Sequence, residues 1–402
     1  MRKVLVIMIM LMLSNYASAE TRARFLFIGD IMVHDQQLDA ARTKTGYDFS
    51  PSFRRIKPLF HDAFLVGNLE TVFAGTGKKL HYAGFPFFNT PDVFTENLSN
   101  DLEIDLLTLA NNHIYDRGND GARRTVQVLK SADIPCIGLG LDDVPSNDAI
   151  VLVNNGIRAA FINHTYGSNE WPKSRDVHLN VIASPDIQAS MTRAKSLSPD
   201  VIIALFHWGN EYHFSPNVHQ KQAAEWAFSE GAKLIVGTHP HVLQPVEVRV
   251  TSDDVRAVAW SLGNFVSFQR TLPRERSIIL AADFVKDDEG VTRLAGLSAV
   301  PTYVVAPGRK RTEVTYAGTE SIIIESLDFS GLSRQQVNNL QGIGRNVLDF
   351  LGAQNISDDF GFSVLWREES RDVLPVSRRN SPHAVLSGGK KSPRSVRKKS
   401  YR

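Results

Sequence analysis

Short apolar runs that each end in polar residues are the feature that most constrains the fold of this chain. Each run has the length of a buried strand, and longer amphipathic stretches separate most of the runs. Strands that alternate with helices predict an α/β fold whose sheet faces are covered by helices. In such sheets ligands bind at the carboxyl ends of the strands. The strands are predicted at 24–28, 63–66, 104–109, 201–206, 233–236 and 255–260.

The rest of the chain follows the same alternation and then becomes rich in strands. Asn154-Asn155-Gly156 is typical of a hairpin turn between strands at 149–153 and 158–162. Helices are predicted at 121–132, 187–197 and 219–229, further strands at 278–284 and 300–305, and a closing helix at 334–351. Cys136, the single cysteine, cannot form an internal disulfide and is expected to be a buried, inert thiol.

Two acids and an amide-imidazole pair follow the first three strands. Asp30 and Glu70 are each ambiguous alone, since a carboxylate after a strand also caps helices. Asn112 and His113 are a stronger indication of a metal or catalytic site, because an amide oxygen suits a metal and a histidine can act as a general acid. Asp116 either orients His113 or begins the next helix, and orientation is the favoured interpretation.

Three histidines follow the strands of the second half. His207 alone would more often be a core residue than a ligand. His239 and His241 lie two residues apart, so in an extended segment both rings point to the same side. Together with the acids and the amide they form a mixed nitrogen and oxygen set, which suits Zn, Mn or Fe rather than Ca. Asn264 is expected at the same edge.

These pieces occur in the order of the calcineurin-like metallophosphatases. More closely, the chain resembles the CapA family, which is linked to poly-γ-glutamate capsule synthesis, over about residues 25–268. The segments that carry the resemblance are Gly29-Asp30-Ile31-Met32, Asn68-Leu69-Glu70, Asn111-Asn112-His113 with Asp116 and Gly118, His207-Trp208-Gly209 with Glu211 and Tyr212, Gly237-Thr238-His239-Pro240-His241, Gln244-Pro245, and Ser261-Leu262-Gly263-Asn264-Phe265.

The resemblance implies a four-layer α/β/β/α metallophosphatase-like sandwich, here with a β-rich C-terminal extension. It also implies a site for one or two divalent Mn, Zn or Fe ions. One ion would be held by Asp30, Glu70 and His241. The other would be held by Glu70, Asn112, His207 and His239, with Glu70 shared. The catalytic residues would be His113, which protonates a leaving group, and Asp116.

The chain departs from the wider superfamily at two positions of this set. Met32 stands where the first metal motif, Asp-x-His, has its histidine, and Glu70 replaces the usual second aspartate. His34 is a possible substitute ligand. The first metal position therefore lacks an imidazole, and ordinary phosphatase activity is in doubt. The alternative function is that of a non-catalytic polymer-binding or scaffold component of an export or assembly complex.

Both ends of the chain differ from its body. Arg2 and Lys3, an apolar run at 4–13 and Ala17-Ser18-Ala19 predict a signal peptide at 1–19, cleaved before Glu20, and hence a secreted or periplasmic protein. The metallophosphatase-like domain is expected at 20–376. Residues 377–402 hold nine Lys or Arg and no acid, which predicts a disordered basic tail. The expected partners are an anionic polymer or phosphate ester and membrane-bound synthesis or export proteins, with no nucleic acid.

Overall fold

The structure is a computed structural model that describes residues 20–60, 63–141, 148–172, 174, 176–269, 271, 273–305, 320–323, 334–354, 356–359 and 361–368. The predicted signal peptide and basic tail lie outside the described residues. The chain divides into two units, Met1–Arg367 and Glu368–Arg402, and all elements described below belong to the first. None of the helices within the described ranges has the length and apolar character needed to cross a membrane.

Strands dominate the first unit. They are β1 (Thr21–Ile31), β2 (Phe64–Leu69), β3 (Ile104–Thr108), β4 (Cys136–Ile137), β5 (Leu139–Leu141), β6 (Ile150–Asn154), β7 (Ile157–Thr165), β8 (Val177–Leu179), β9 (Val201–His207), β10 (Leu234–Thr238), β11 (Val246–Val250), β12 (Val255–Ala259), β13 (Asn264–Val266), β14 (Arg276–Lys286), β15 (Thr292–Val305), β16 (Glu320–Ile323) and β17 (Ser363–Arg367). The helices are α1 (Asp35–Ala41), α2 (Ser50–Phe53), α3 (Phe94–Asn100), α4 (Gly118–Ser131), α5 (Ser184–Ser196), α6 (Val218–Ser229) and α7 (Arg334–Leu351), with a 3₁₀ turn at Lys57–Leu59.

The strands form two large sheets. The first has the order β16-β15-β14-β1-β2-β3-β4, with β13 paired to β1 and β17 paired to β15. The second has the order β11-β12-β10-β9-β7-β6, and β5 pairs with β8 separately. Strands β1 to β4 are parallel to one another, as are β7, β9, β10 and β12. The parallel arrangement brings the carboxyl ends of strands within each sheet to one edge.

Aromatic side chains fill the space between the two sheets. Phe25 of the first sheet meets Phe161 of the second with ring centroids 6.1 Å apart, and Phe64 stacks on Phe161 at 6.0 Å. One core cluster contains residues of both sheets, which shows that their inner faces pack together. The sequences of the fully buried strands are continuous apolar runs because both faces of these strands are covered.

Helices cover the outer faces. Leu98 of α3 and Leu129 of α4 join the core cluster on the outer side of the first sheet. Met191 of α5 and Phe228 of α6 pack in the corresponding cluster on the second sheet. The predicted four-layer α/β/β/α sandwich is therefore confirmed, and the β-rich extension takes the form of β14 to β17, which widen the first sheet.

Candidate metal centre

The strand ends bring the eight predicted site residues into a buried setting. Asp30 is the penultimate residue of β1, Glu70 directly follows β2, and the turn after β3 carries Asn112. His207 ends β9, and His239 directly follows β10. All eight have at most 8% of their surface exposed. The eight are Asp30, Glu70, Asn112, His113, Asp116, His207, His239 and His241.

The carboxylate of Glu70 lies among the imidazoles. Its Oε1 is 3.6 Å from His207 Nε2 and 3.8 Å from His241 Nε2, and neither carboxylate oxygen accepts a hydrogen bond from the described residues. Burial raises the pKa of the Glu70 carboxyl well above its usual range, and the neighbouring Asp30 carboxylate raises it further. A buried carboxylate without a partner is strongly unfavourable. Glu70 therefore fits a role as a ligand to a cation. A cation there would stabilise the ionised carboxylate and lower the pKa that burial and Asp30 raise.

Asp30 holds the segment that carries the last two histidines. Its carboxylate accepts hydrogen bonds from Asn68 Nδ2 at 2.8 Å, from the His239 backbone N–H at 3.3 Å and from His241 Nδ1 at 3.0 Å. His239 and His241 have φ angles of +95° and +56°. Residues other than glycine rarely adopt positive φ, so the surrounding contacts must stabilise this segment.

His207 faces the predicted amide ligand. Its Nε2 lies 2.7 Å from Asn112 Oδ1, and its Nδ1 lies 3.2 Å from both Asn68 Nδ2 and Thr238 Oγ1. Burial lowers the pKa of His207 well below its usual value, and the neighbouring His239 lowers it further. Burial likewise lowers the pKa of His239, whose Nδ1 has no hydrogen-bond partner. Both rings are therefore neutral, the form in which imidazole binds metals.

Two sets of ligand atoms come close enough to hold a metal ion. Glu70, His239 and His241 form one set, and Asp30, Glu70 and His207 form the other, with ligand atoms within 4.8 Å of one another in each. Glu70 is common to both, as expected of a shared ligand. The two sets divide the histidines differently from the division that the resemblance implies, so which residue serves which ion stays a prediction.

His113 and Asp116 form a hydrogen-bonded pair beside this cluster. His113 Nδ1 lies 2.9 Å from Asp116 Oδ2, which also accepts the Phe88 backbone N–H at 2.7 Å. The Phe88 ring meets the His113 ring edge-on at 4.8 Å. This geometry favours the interpretation that Asp116 orients His113, because helix α4 begins only at Gly118.

Met32 and His34 lie at the predicted gap in the ligand set. Met32 is buried. His34 Nδ1 lies 3.2 Å from both the Phe268 backbone N and the Met32 carbonyl oxygen, so backbone groups face this nitrogen. Burial lowers the pKa of His34 to about 4. A ligand role for His34 stays a prediction.

Three further residues surround the cluster. Asn264 pairs in register with Asp30 across β13 and β1, and its Oδ1 lies 3.0 Å from His241 Nδ1, at the edge where the sequence predicts it. Asn68 bonds Asp30, and the ring of Tyr166 lies 4.6 Å from the His239 ring. Sequence reasoning missed the roles of Asn68 and Tyr166. The signal for Tyr166 was its place directly after β7, the position that other site residues occupy after their strands.

Comparison with known proteins gives consistent matches. The family model described as bacterial capsule synthesis protein PGA_cap matches residues 24–269. The PGA biosynthesis protein CapA of Bacillus subtilis (strain 168) is 27% identical over 299 residues, which cover 72% of this chain and 70% of that protein. The capsule biosynthesis protein CapA of Bacillus anthracis is 27% identical over 270 residues, which cover 65% of this chain and 63%, less than two thirds, of that protein.

Among solved structures, the calcineurin-like phosphoesterase YfkN from Bacillus subtilis aligns with a TM-score of 0.45 and 14% identity. The alignment covers 83% of this chain and 99% of that chain.

Proposed function

This chain belongs to the bacterial capsule synthesis family PGA_cap, and we propose that it is an exported protein that acts in the synthesis of a capsule or a polyglutamate-type polymer. The roles of its relatives in PGA and capsule biosynthesis support this proposal. The N-terminal sequence, with Arg2 and Lys3 before an apolar run, supports export into the periplasm or the medium.

We further propose that the strand-end cluster makes this protein a metal-dependent hydrolase of phosphate esters or a related bond. The carrying observation is Glu70, whose two buried oxygens accept no hydrogen bond from the described residues although His207 and His241 face Oε1. Glu70, His207, His239 and His241 would hold the ion or ions, together with Asp30 and Asn112. A divalent cation held there would supply Lewis acidity and a bound water of lowered pKa.

The chain's own residues supply the remaining chemistry. Asp116 accepts a hydrogen bond from the Nδ1–H of His113, which leaves Nε2 as the nitrogen that exchanges a proton with a leaving group. Asp30 keeps His241 in place through its hydrogen bond to Nδ1, which leaves Nε2 directed at Glu70. Phe88 packs on His113 and limits the access of water to that ring.

The test is metal analysis combined with a substrate panel on the chain that begins at Glu20. We expect one or two equivalents of Mn, Zn or Fe, and turnover of a phosphomonoester, a phosphodiester or a polyglutamate substrate. The variant His239→Ala should lose most of its bound metal and most of its turnover. His178→Ala, an exposed histidine of β8, is the matched control. Protein that holds no divalent metal and shows no difference between the two variants would contradict the proposal.

A second candidate function is that of a non-catalytic polymer-binding or scaffold component. Met32 in place of a metal-binding imidazole favours it, because the cluster then holds its ion with fewer ligands. The variant His113→Ala separates the two functions, since His113 belongs to neither of the close ligand sets. Loss of turnover with the metal retained supports the hydrolase, whereas polymer binding without any turnover supports the scaffold.

A further inference from the structure

A cavity lies against helix α7, and none of the predicted ligands lines it. Its volume is about 240 Å³. Phe214, Leu243, Val347 and Phe350 form apolar walls, and most of the lining is therefore hydrocarbon. Pro273, Arg276 and Asn346 complete the lining. None of these seven residues belongs to the predicted metal or catalytic set, so the cavity needs an explanation of its own.

Arg276 is the charged residue of this lining. Its Nε–H is buried and has no hydrogen-bond partner among the described residues, and the described lining of the cavity holds no acidic side chain. A buried donor that loses water without gaining an acceptor is destabilising, most of all on a charged group. A guanidinium presents several N–H groups in a planar fork that matches a carboxylate. The described lining thus carries one positive charge and no negative charge.

The two phenylalanines that line this cavity are both exposed to solvent. Phe214 is 49% exposed and Phe350 is 45% exposed, whereas Leu243 and Val347, which line the same cavity, are buried. Large exposed apolar groups are unfavourable in water, and patches of them commonly mark binding sites. An aliphatic chain lying between the two rings would remove both from solvent.

We propose that this cavity binds an aliphatic carboxylate, with the hydrocarbon chain between Phe214 and Phe350 and the carboxylate at Arg276. The charge of the cavity supports this occupant over the chain's own residues 377–402, which carry nine basic residues and no acid. The volume corresponds to roughly eight groups of the size of water, at about 30 Å³ each, so it encloses most of a medium-length chain. The site is separate from the proposed metal-dependent activity and does not rest on it.

Titration calorimetry of the chain from Glu20 with decanoate, decanol and acetate tests the proposal. Decanoate should bind, decanol should bind more weakly, and acetate should show no binding. Arg276→Gln should weaken decanoate about tenfold or more and leave decanol unchanged, because only the carboxylate loses a charged partner. The control Arg345→Gln changes an exposed arginine of α7 outside the lining and should leave both affinities unaltered.

Variants of the apolar walls test the position of the hydrocarbon chain. Val347→Phe should fill the cavity and prevent binding of both decanoate and decanol. If Val347→Phe does not fold, Phe214→Ala, at an exposed position, should weaken both ligands severalfold. Absence of decanoate binding to the unaltered chain overturns the proposal, as does an equal loss of decanoate and decanol in Arg276→Gln. Binding should also persist after chelation of divalent metals, and its loss would place the ligand at the metal centre instead.

Discussion

At the scale of single residues, Glu70 decides the character of the strand-end cluster. It is fully buried, its oxygens accept no hydrogen bond from the described residues, and Asp30 adds a second negative group nearby. In most buried carboxylates hydrogen-bond donors offset the loss of water. Here imidazole nitrogens of His207 and His241 lie 3.6 and 3.8 Å from Oε1. These distances are longer than hydrogen bonds, so the two imidazoles do not stabilise the buried charge of Glu70, whereas a bound cation would.

The variant Glu70→Gln should therefore change stability in opposite directions with and without metal. In a chelator we expect the variant to be more stable than the unaltered chain by about 1–3 kcal/mol, because the costly buried carboxylate is gone. With Mn or Zn at a hundredfold excess over the dissociation constant, the unaltered chain should gain about 2.7 kcal/mol that the variant largely lacks. Urea unfolding under both conditions measures the difference.

Glu96→Gln, an exposed acid in α3, is the control and should show neither effect. A variant that is destabilised equally in chelator and in metal would show that Glu70 has a purely structural role.

At the scale of elements, helix α6 is tied to the segment that follows the paired histidines. Asn217 and Gln220 form a capping box, with Gln220 N donating to Asn217 Oδ1 at 2.9 Å and Asn217 N donating to Gln220 Oε1 at 3.0 Å. The Gln220 amide also donates to Gln244 Oε1 at 2.8 Å, three residues beyond His241. The Gln220 side chain thus stabilises the start of α6 and also holds the segment that follows His241.

Two substitutions separate these roles of the cap. Asn217→Ala should lower the free energy of unfolding by about 1 kcal/mol, the usual effect of losing a cap. Gln220→Ala should lower it by more, because the bond to Gln244 is lost as well. Gln222→Ala, exposed on the same helix, is the control and should stay within about 0.5 kcal/mol of the unaltered chain. Thermal or urea unfolding measures all three, and equal losses for Asn217 and Gln220 would show that the Gln244 bond contributes nothing.

At the scale of the whole first unit, the two sheets depend on a shared aromatic layer. Phe161 contacts Phe25 and Phe64 of the opposite sheet, and all three are at least 91% buried. The predicted ligands come from both sheets, since Asp30 and Glu70 belong to the first while His207 and His239 belong to the second. The packing between the sheets therefore also sets the distances between the ligands.

Truncation of this layer should affect both stability and metal affinity. Phe161→Ala should lower the free energy of unfolding by about 3–5 kcal/mol, the usual effect of removing a buried phenylalanine. Metal affinity should fall with it, although Phe161 contacts no predicted ligand. Val153→Ala, exposed on the neighbouring strand β6, is the control. Urea unfolding and metal titration measure the two effects, and unchanged metal affinity in a folded variant would contradict the coupling.

Much of the fold follows from local pattern. The predicted helix at 334–351 has the bounds of α7, and the strands at 201–206 and 255–260 differ from β9 and β12 by one residue at the C-terminal end. Helix α4 begins three residues before its predicted start, because Gly118 has no strong helical signal of its own. The strands β11 and β13 were not predicted. The sequence of β11 is half polar and β13 is very short, and each becomes a strand only through pairing, β11 with β12 and β13 with β1.

The sequence alone determined which residue types follow which strands, since apolar runs of strand length need burial and the polar residues after them must lie at a sheet edge. It thereby indicated Asp30, Glu70, the histidines and the α/β class. Tertiary structure alone decided that the Glu70 carboxylate accepts no hydrogen bond from the described residues, that Asp30 holds His241, and that Tyr166 and Asn68 join the cluster. These facts depend on distances between two separate sheets, which no local pattern encodes and which the packing between the sheets sets.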